Sequence, residues 1–255
     1  MITNDFMAPV TDGKILPRGY SSISHLPGSK MIDDKDKLIG VQECGWLTVE
    51  RRNFKDLVII TEKVDGMNAS VYRIDNQLYP IIRAGYDVRT SDKNWIRAFG
   101  RFVSTNSDRF MSVLNNGERL CGEWMIKTHT LSYDLPHEPY VVFDIVGEKN
   151  KRLSYRDFRH RVDGIFTPTG LLHIGEAVTP LLAIEILGKG YHGVVGDQPE
   201  GVVYKYENQD GYVCSGKFVS HPDVGNEKIF THNISNDIYN HVKSKYKQYL
   251  PNEND

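Results

Sequence analysis

The apolar run Leu57-Val58-Ile59-Ile60 leads into Thr61-Glu62-Lys63-Val64-Asp65-Gly66-Met67-Asn68, and an alternating run through Ala69, Val71, Tyr72 and Ile74 leaves it. Both runs have the spacing and β-branched content of strands, and Gly66 supplies a turn point between them. A chain built on this strand–turn–strand unit must fold around sheet, with Lys63 at a strand end beside a tight turn. That position is ordinarily apolar, so the lysine requires a reason. Its amine can be a nucleophile, if desolvation or a neighbouring cation favours the neutral form. It can equally be an edge-strand lysine that discourages sheet-to-sheet pairing. Lys-x-Asp-Gly alone is too short to decide.

At 255 residues the chain suits one large domain or two small ones. Its 40% hydrophobic and 25% charged residues are those of an ordinary soluble globular protein. A net charge of -2 excludes a generally basic nucleic-acid coat and leaves room for a local basic groove. Cys44, Cys121 and Cys214 are widely spaced and odd in number, against a disulfide framework or zinc ribbon and for a reducing, cytoplasmic setting. The start, Met1-Ile2-Thr3-Asn4-Asp5, lacks the features of a signal peptide. No apolar run approaches the ~20 residues of a membrane span, so no membrane partner is expected.

Residues 1 to 55 are dense in turn signals and carry no legible chemistry; residues 44 to 49 read as a short strand. Residues 77 to 84 read as a third strand, hairpin-paired with the second across Asp75-Asn76. Arg83 and Arg89 follow beside Gly85, where guanidinium forks could clamp phosphate or ribose or simply face water. Residues 92 to 113 read as a helix interrupted near 104 to 106, its Trp95, Ile96, Phe99, Phe102 and Val103 forming a core stripe. Glu123 lies in an apolar strand, costly unless something polar or cationic meets it. Phe143, in the buried strand 140 to 146, is either core or a base-stacking ring. Helices are expected over 153 to 162, with Ser154 and Asp157 at capping-box spacing, and after Thr179-Pro180, with Gly188 as the stop. Glu200 opens a strand that contains Lys205; a further strand, 211 to 219, carries Lys217. Residues 235 to 250 read as an amphipathic helix.

In the order Lys63-Val64-Asp65-Gly66, Gly122-Glu123-Trp124, Val142-Phe143-Asp144, Glu200-Gly201-Val202-Val203-Tyr204-Lys205 and Lys217, the segments resemble the covalent nucleotidyltransferases: ATP-dependent DNA ligases, RNA ligases and mRNA capping enzymes. The branch most similar is that of RNA-repair ligases, whose nucleophile segment resembles Glu62-Lys63-x-x-Gly66-x-Asn68. The resemblance implies an α+β fold of antiparallel sheets flanked by helices, an ATP-grasp-like adenylation domain with no OB-fold. It divides the chain into an N-terminal extension packed on the domain (1–55), the nucleotidyltransferase domain (56–222) and a helical tail (223–255). It implies ATP, with AMP carried covalently on Lys63, and Mg²⁺ or Mn²⁺. The expected partners are RNA ends, nicked or single-stranded, with DNA or hybrid ends open, and the expected state is a monomer.

By the same resemblance, Lys63 attacks the α-phosphorus and Asn68 assists sealing. Glu62 helps position adenine, Phe143 stacks on it, Glu123 meets the ribose and Arg83 lies near ribose and phosphate. Glu200 serves the metal, and Lys205 and Lys217 hold phosphate charge and help keep Lys63 neutral. The sequence departs from the family at Ser215-Gly216-Lys217, where a Lys-x-Lys pair is usual. A minimal DNA ligase, a capping guanylyltransferase and a non-catalytic nucleotide- or RNA-binding module remain as alternatives.

Overall fold

The computed structural model describes residues 18–31, 35–196, 198–222 and 238–251. In chain order the elements are β1 (Ser24–His25), α1 (Val41–Thr48), β2 (Leu57–Lys63), β3 (Met67–Ile74), β4 (Gln77–Ile82), α2 (Asn94–Thr105), α3 (Ser107–Val113), β5 (Arg119–Trp124), β6 (Asp134–Leu135) and β7 (Tyr140–Val146). There follow α4 (Tyr155–Val162), β8 (Thr167–Pro168), β9 (Leu171–Gly175), α5 (Pro180–Leu187), β10 (Gly201–Asn208), β11 (Gly211–Val219) and β12 (His241–Val242). One five-stranded sheet has the order β1-β11-β10-β2-β9, the other β4-β3-β5-β7-β8. Pairing is antiparallel except at the edges, where β1 joins β11 and β8 joins β7 in parallel. This is the expected α+β architecture.

Strand alternation sorts the faces. Val58 and Ile60 of β2, with Val202, Tyr204 and Tyr206 of β10, pack under α1 and α5 through Leu47, Ala183 and Leu187. Ala69 and Val71 of β3 and Leu120 and Trp124 of β5 pack under α2 and α3 through Phe99, Phe102 and Phe110. The opposite faces of the two sheets look at each other across a cleft. β2 and β3 belong to different sheets. Val64, Asp65 and Gly66 therefore carry the chain from one sheet to the other, and Lys63 stands at the seam. A Cβ on Gly66 would lie 2.9 Å from the Trp124 carbonyl oxygen, so only glycine lets the link pass this close to β5.

The capping residues act as expected: Ser154 Oγ accepts from Asp157 N, and Thr179 Oγ1 from Leu182 N. The long helix breaks at Asn106, whose Nδ2 donates to the Phe102 carbonyl. Two expected elements are corrected. The short strand at 44 to 49 is helix α1, because Cys44, Leu47 and Thr48 share a helical face and pack toward β10 and β11. Of the tail, 235–237 lie outside the described residues, and 238–250 form no α-helix. β12 is extended because it pairs with β6, and a 3-10 turn, Ser244–Tyr249, follows. Asn240 fixes this path: its Nδ2 donates to Met125 O, and its Oδ1 accepts from Tyr133 N and Thr128 Oγ1. Among the described residues no helix is long and apolar enough to cross a membrane.

Candidate active site

Lys63 and Gly201 are register partners on β2 and β10, which sets Glu200 just past the strand end beside the lysine. Lys63 Nζ donates to Glu200 Oε2 at 2.6 Å. Burial lowers the lysine's pKa, but Glu200, Glu123 and Asp65 outweigh it, so the amine is held above the ordinary lysine range. Burial lifts the Glu200 carboxyl to about 7 against the pull of Lys63. The expectation that neighbouring cations keep Lys63 neutral is therefore corrected. Its strongest charged neighbours are carboxylates, and the pair is an ion pair. Lys217 on β11, opposite Val203 of β10, has its pKa lowered by burial and then by the charge of Lys63. Its Nζ lies 3.8 Å from Asp36 Oδ1.

The second sheet supplies the other wall. Asn68 on β3 and Glu123 on β5 are register partners, with Asn68 Nδ2 donating to Glu123 Oε1 at 3.5 Å. Burial raises Glu123 to about 8, opposed by Lys63 and Arg83. Asn68 Oδ1 and Glu123 Oε2 are buried without hydrogen-bond partners among the described residues. Unpaired polar atoms of this kind are costly and fit a polar ligand in the cleft. The exposed Arg83 lines the same cleft. Asp65 faces away and holds the seam. Its Oδ2 accepts from Thr130 N and Leu131 N, while its own N–H donates to Tyr133 Oη.

The far end of the cleft is aromatic. The β5–β7 ladder slips between Cys121 and Gly122, leaving Phe143 as the extra residue of a bulge. A bulge redirects side chains, and here Phe143 lines the cleft beside Ile59, Val203 and Tyr155. Tyr20 meets its ring edge-on at 4.9 Å and donates Oη to the buried Asp144 at 3.0 Å. Lys205 Nζ is 3.3 Å and Arg152 3.8 Å from the same carboxylate. Lys205 lies opposite Ile59, four residues beyond Gly201, roughly 13 Å along the strand from the level of Lys63. It thus stands with Phe143, apart from the Lys63–Lys217 cluster. Arg152 Nη1 approaches Ser215 Oγ at 3.4 Å, so a guanidinium borders the position where the sequence departs from Lys-x-Lys.

Glu62 is turned out of this constellation. Its Oε2 accepts from Tyr191 N, its Oε1 has no partner among the described residues, and it is 1% exposed. His192 lies 4.0 Å away but is no counter-charge. Burial and then His137 push its pKa down to about 3, and its Nε2 accepts from Gly170 N. Burial therefore raises Glu62 to about 7. A raised carboxyl stabilises the fold below its unfolded pKa, and that contribution is lost as pH climbs through the folded value. Glu62→Gln is expected to leave stability unchanged at pH 4 and to raise it by up to about 3 kcal/mol at pH 8.5, read by urea denaturation at both pH values.

A family model described as RNA ligase matches residues 56–219. The chain belongs to the RNA ligase family. Among solved structures, an archaeal ATP-dependent RNA ligase is 18% identical at a TM-score of 0.51, over 80% of this chain and 48% of that one. A Naegleria gruberi RNA ligase with PPi is 20% identical at 0.49, over 81% and 62%. A mutant of a Naegleria gruberi RNA ligase with ATP and Mn is 17% identical at 0.46, over 66% and 51%. At these identities the archaeal likeness speaks for the fold alone, and the chain spans about half that ligase's length. No curated protein sequence matches.

Of the residues singled out from the sequence of this RNA ligase family member, Lys63, Asn68, Arg83, Glu123, Phe143, Lys205 and Lys217 line one cleft. Glu200 joins them through Lys63. Glu62 borders the cleft through its place in β2, with its carboxylate directed at Tyr191 N. The sequence reading missed Tyr20, Asp36, Arg152 and the role of Asp144. Tyr20 and Asp144 are 124 residues apart, so their pairing leaves no local signal. Asp144 alone had one, an acid inside a buried apolar strand.

Proposed function

We propose that the chain is an ATP-dependent RNA ligase that joins 3′-hydroxyl and 5′-phosphate ends through a lysyl-AMP intermediate. The observation that carries this reading is the convergence of Lys63, Glu200, Lys217 and Glu123 in a cleft whose other end is lined by Phe143. A purine between Phe143 and Val203 would direct its ribose toward Glu123 and its α-phosphate toward Lys63. Lys63 Nζ then forms a P–N bond as the P–O bond to pyrophosphate breaks. The ammonium proton has an acceptor 2.6 Å away in Glu200, whose pKa of about 7 suits transient protonation. Lys217 offsets the charge that builds on phosphate. Lys205, beside Asp144 and Phe143, acts at the base end in this reading rather than on phosphate.

Among the described residues no three His, Cys, Asp or Glu side chains converge as a metal site. Mg²⁺ or Mn²⁺ would thus be held by Glu200 with phosphate oxygens and water, and would supply electrostatic stabilisation of the leaving pyrophosphate. The 5′-phosphate of an RNA would accept AMP from Lys63, and a 3′-hydroxyl aligned by Asn68 would displace it.

Incubation with radiolabelled ATP and Mg²⁺ is expected to label the protein through an acid-labile P–N bond, and addition of nicked or single-stranded RNA to yield sealed product and free AMP. Absence of labelling, or sealing of DNA nicks alone, would refute the reading. Because Glu200 must be ionised to accept the ammonium proton, the labelling rate is expected to rise by up to about tenfold per pH unit below about 7 and to level off above it.

A further inference from the structure

We propose that a basic track running out of the cleft over the first turns of α2 binds the phosphate backbone of the RNA strand whose end is presented to Lys63. The identity of the strand rests on the ligase reading above; the track itself rests on geometry and charge. Asn68 and Arg83 line both the nucleotide cleft and a second groove of about 610 Å³, whose walls also include Arg18, Tyr86, Lys93 and Trp95. Among the described residues no carboxylate lines this groove. Arg18, Arg83 and Lys93 are exposed, and none has an ion-pair partner among the described residues.

A separate concavity of about 430 Å³ lies farther along α2, lined by Arg89, Arg97, Gly100, Arg101, Ser104 and Thr105. Arg97, Arg101 and Ser104 are spaced for one helical face, turned from the buried Ile96, Phe99 and Phe102. Gly100 lets the stem of Arg89 lie on the helix, since a Cβ there would be 3.0 Å from Arg89 Cγ. Residues 83–101 carry Arg83, Arg89, Lys93, Arg97 and Arg101 against Asp87 and Asp92, in a chain whose net charge is -2. Asp87 is taken up by Arg89.

A groove lined by cations and free of carboxylates focuses positive potential and suits a polyanion. Phosphates at regular spacing along a strand match cations at regular spacing along a helix, without reading sequence. The track starts where the nucleotide cleft ends, at Asn68 and Arg83, so a strand terminating at Lys63 leaves along it.

The test is Lys93→Gln/Arg101→Gln; neither side chain lines the nucleotide cleft. Binding of a fluorescent 5′-phosphorylated single-stranded RNA is measured without ATP from 50 to 200 mM salt. The double variant is expected to bind several-fold more weakly. Its slope of log K against log salt should flatten by about 1.4, from two lost phosphate contacts at about 0.7 each. Lys93→Gln alone should flatten it by about half as much. Labelling with ATP alone should be unchanged, which also reports an intact fold. Lys55→Gln/Lys151→Gln, the same charge change on other surfaces, should leave the slope as it is. Wild-type affinity and slope in the track variant, or an equal loss in the control pair, would overturn the proposal. A wild-type chain that binds RNA through the track yet takes no label would instead count against the ligase reading alone.

Discussion

Lys63→Ala is expected to abolish covalent labelling by ATP and, with it, sealing, by a factor on the order of 10⁴ or more. Among the described residues two other amines share the cleft, and the geometry disfavours both as substitutes. Lys205 is held at Asp144, at the aromatic end, and Lys217 lies beside Asp36. A labelled Lys63→Ala protein would move the nucleophile to one of them, and peptide mapping of the adduct would say which. The same variant has a thermal signature. Glu200 loses the cation that opposes its burial, so its pKa climbs further above 7. The variant is expected to melt close to wild type at pH 6 and clearly below it at pH 8, where Glu200 must ionise unpaired or take up a proton. Equal melting deficits at both pH values would show that the ion pair carries no such linkage.

Gly201→Ala is expected to cost at least about 3 kcal/mol of stability and to remove labelling in whatever fraction still folds. Gly201 has φ +156°, and a Cβ there would sit 2.0 Å from the Phe218 carbonyl oxygen and 3.0 Å from Val219 Cα. Both are main-chain atoms of the neighbouring strand, so no side-chain rotation relieves the clash. β10 and β11 must separate at the residue that sets Glu200 against Lys63. Gly188→Ala is the control. Gly188 ends α5 at φ +55°, ψ -121°, with nothing among the described residues within 4 Å of an added Cβ, so only this glycine-favouring backbone is penalised, by about 1–3 kcal/mol. Urea unfolding of the two variants separates steric from conformational cost. A Gly201→Ala protein as stable as Gly188→Ala would mean that the two strands yield easily here.

Much of this was legible in the sequence for reasons that are themselves physical. The period of α2 follows from burying one face, and the near-continuous apolar runs of β2 and β10 from burying both. Ser154, Thr179-Pro180 and Gly188 mark helix ends because those residues satisfy or stop a helix locally. Glu123 stood out as a charge inside an apolar strand, and Lys63 and Glu200 as charges at strand ends. What stayed hidden depends on partners far along the chain. That β2 and β3 part into different sheets is decided by pairing with β10 and β5, not by the turn between them. The bulge that redirects Phe143 is a register slip against β5, which alternation along β7 alone cannot express. Residues 44 to 49 are short enough to read as a strand; the helix is set by the surface they cover on β10 and β11. The charge state of Lys63 could not be read because its acids arrive from β5 and from the residue before β10.

The placement of Lys63 on the crossing between sheets has a mechanical consequence. Glu200 and Lys217 travel with the lysine's own sheet, whereas Asn68, Glu123 and Phe143 ride on the facing one. A shear of one half against the other leaves Glu200 beside the amine and, in the proposed reaction, carries Phe143 and Glu123 out of line with base and ribose. Reactivity therefore reports how well the two halves are seated together, and the anchoring of Asp65 to Thr130 and Leu131 is the peg that keeps that seating true.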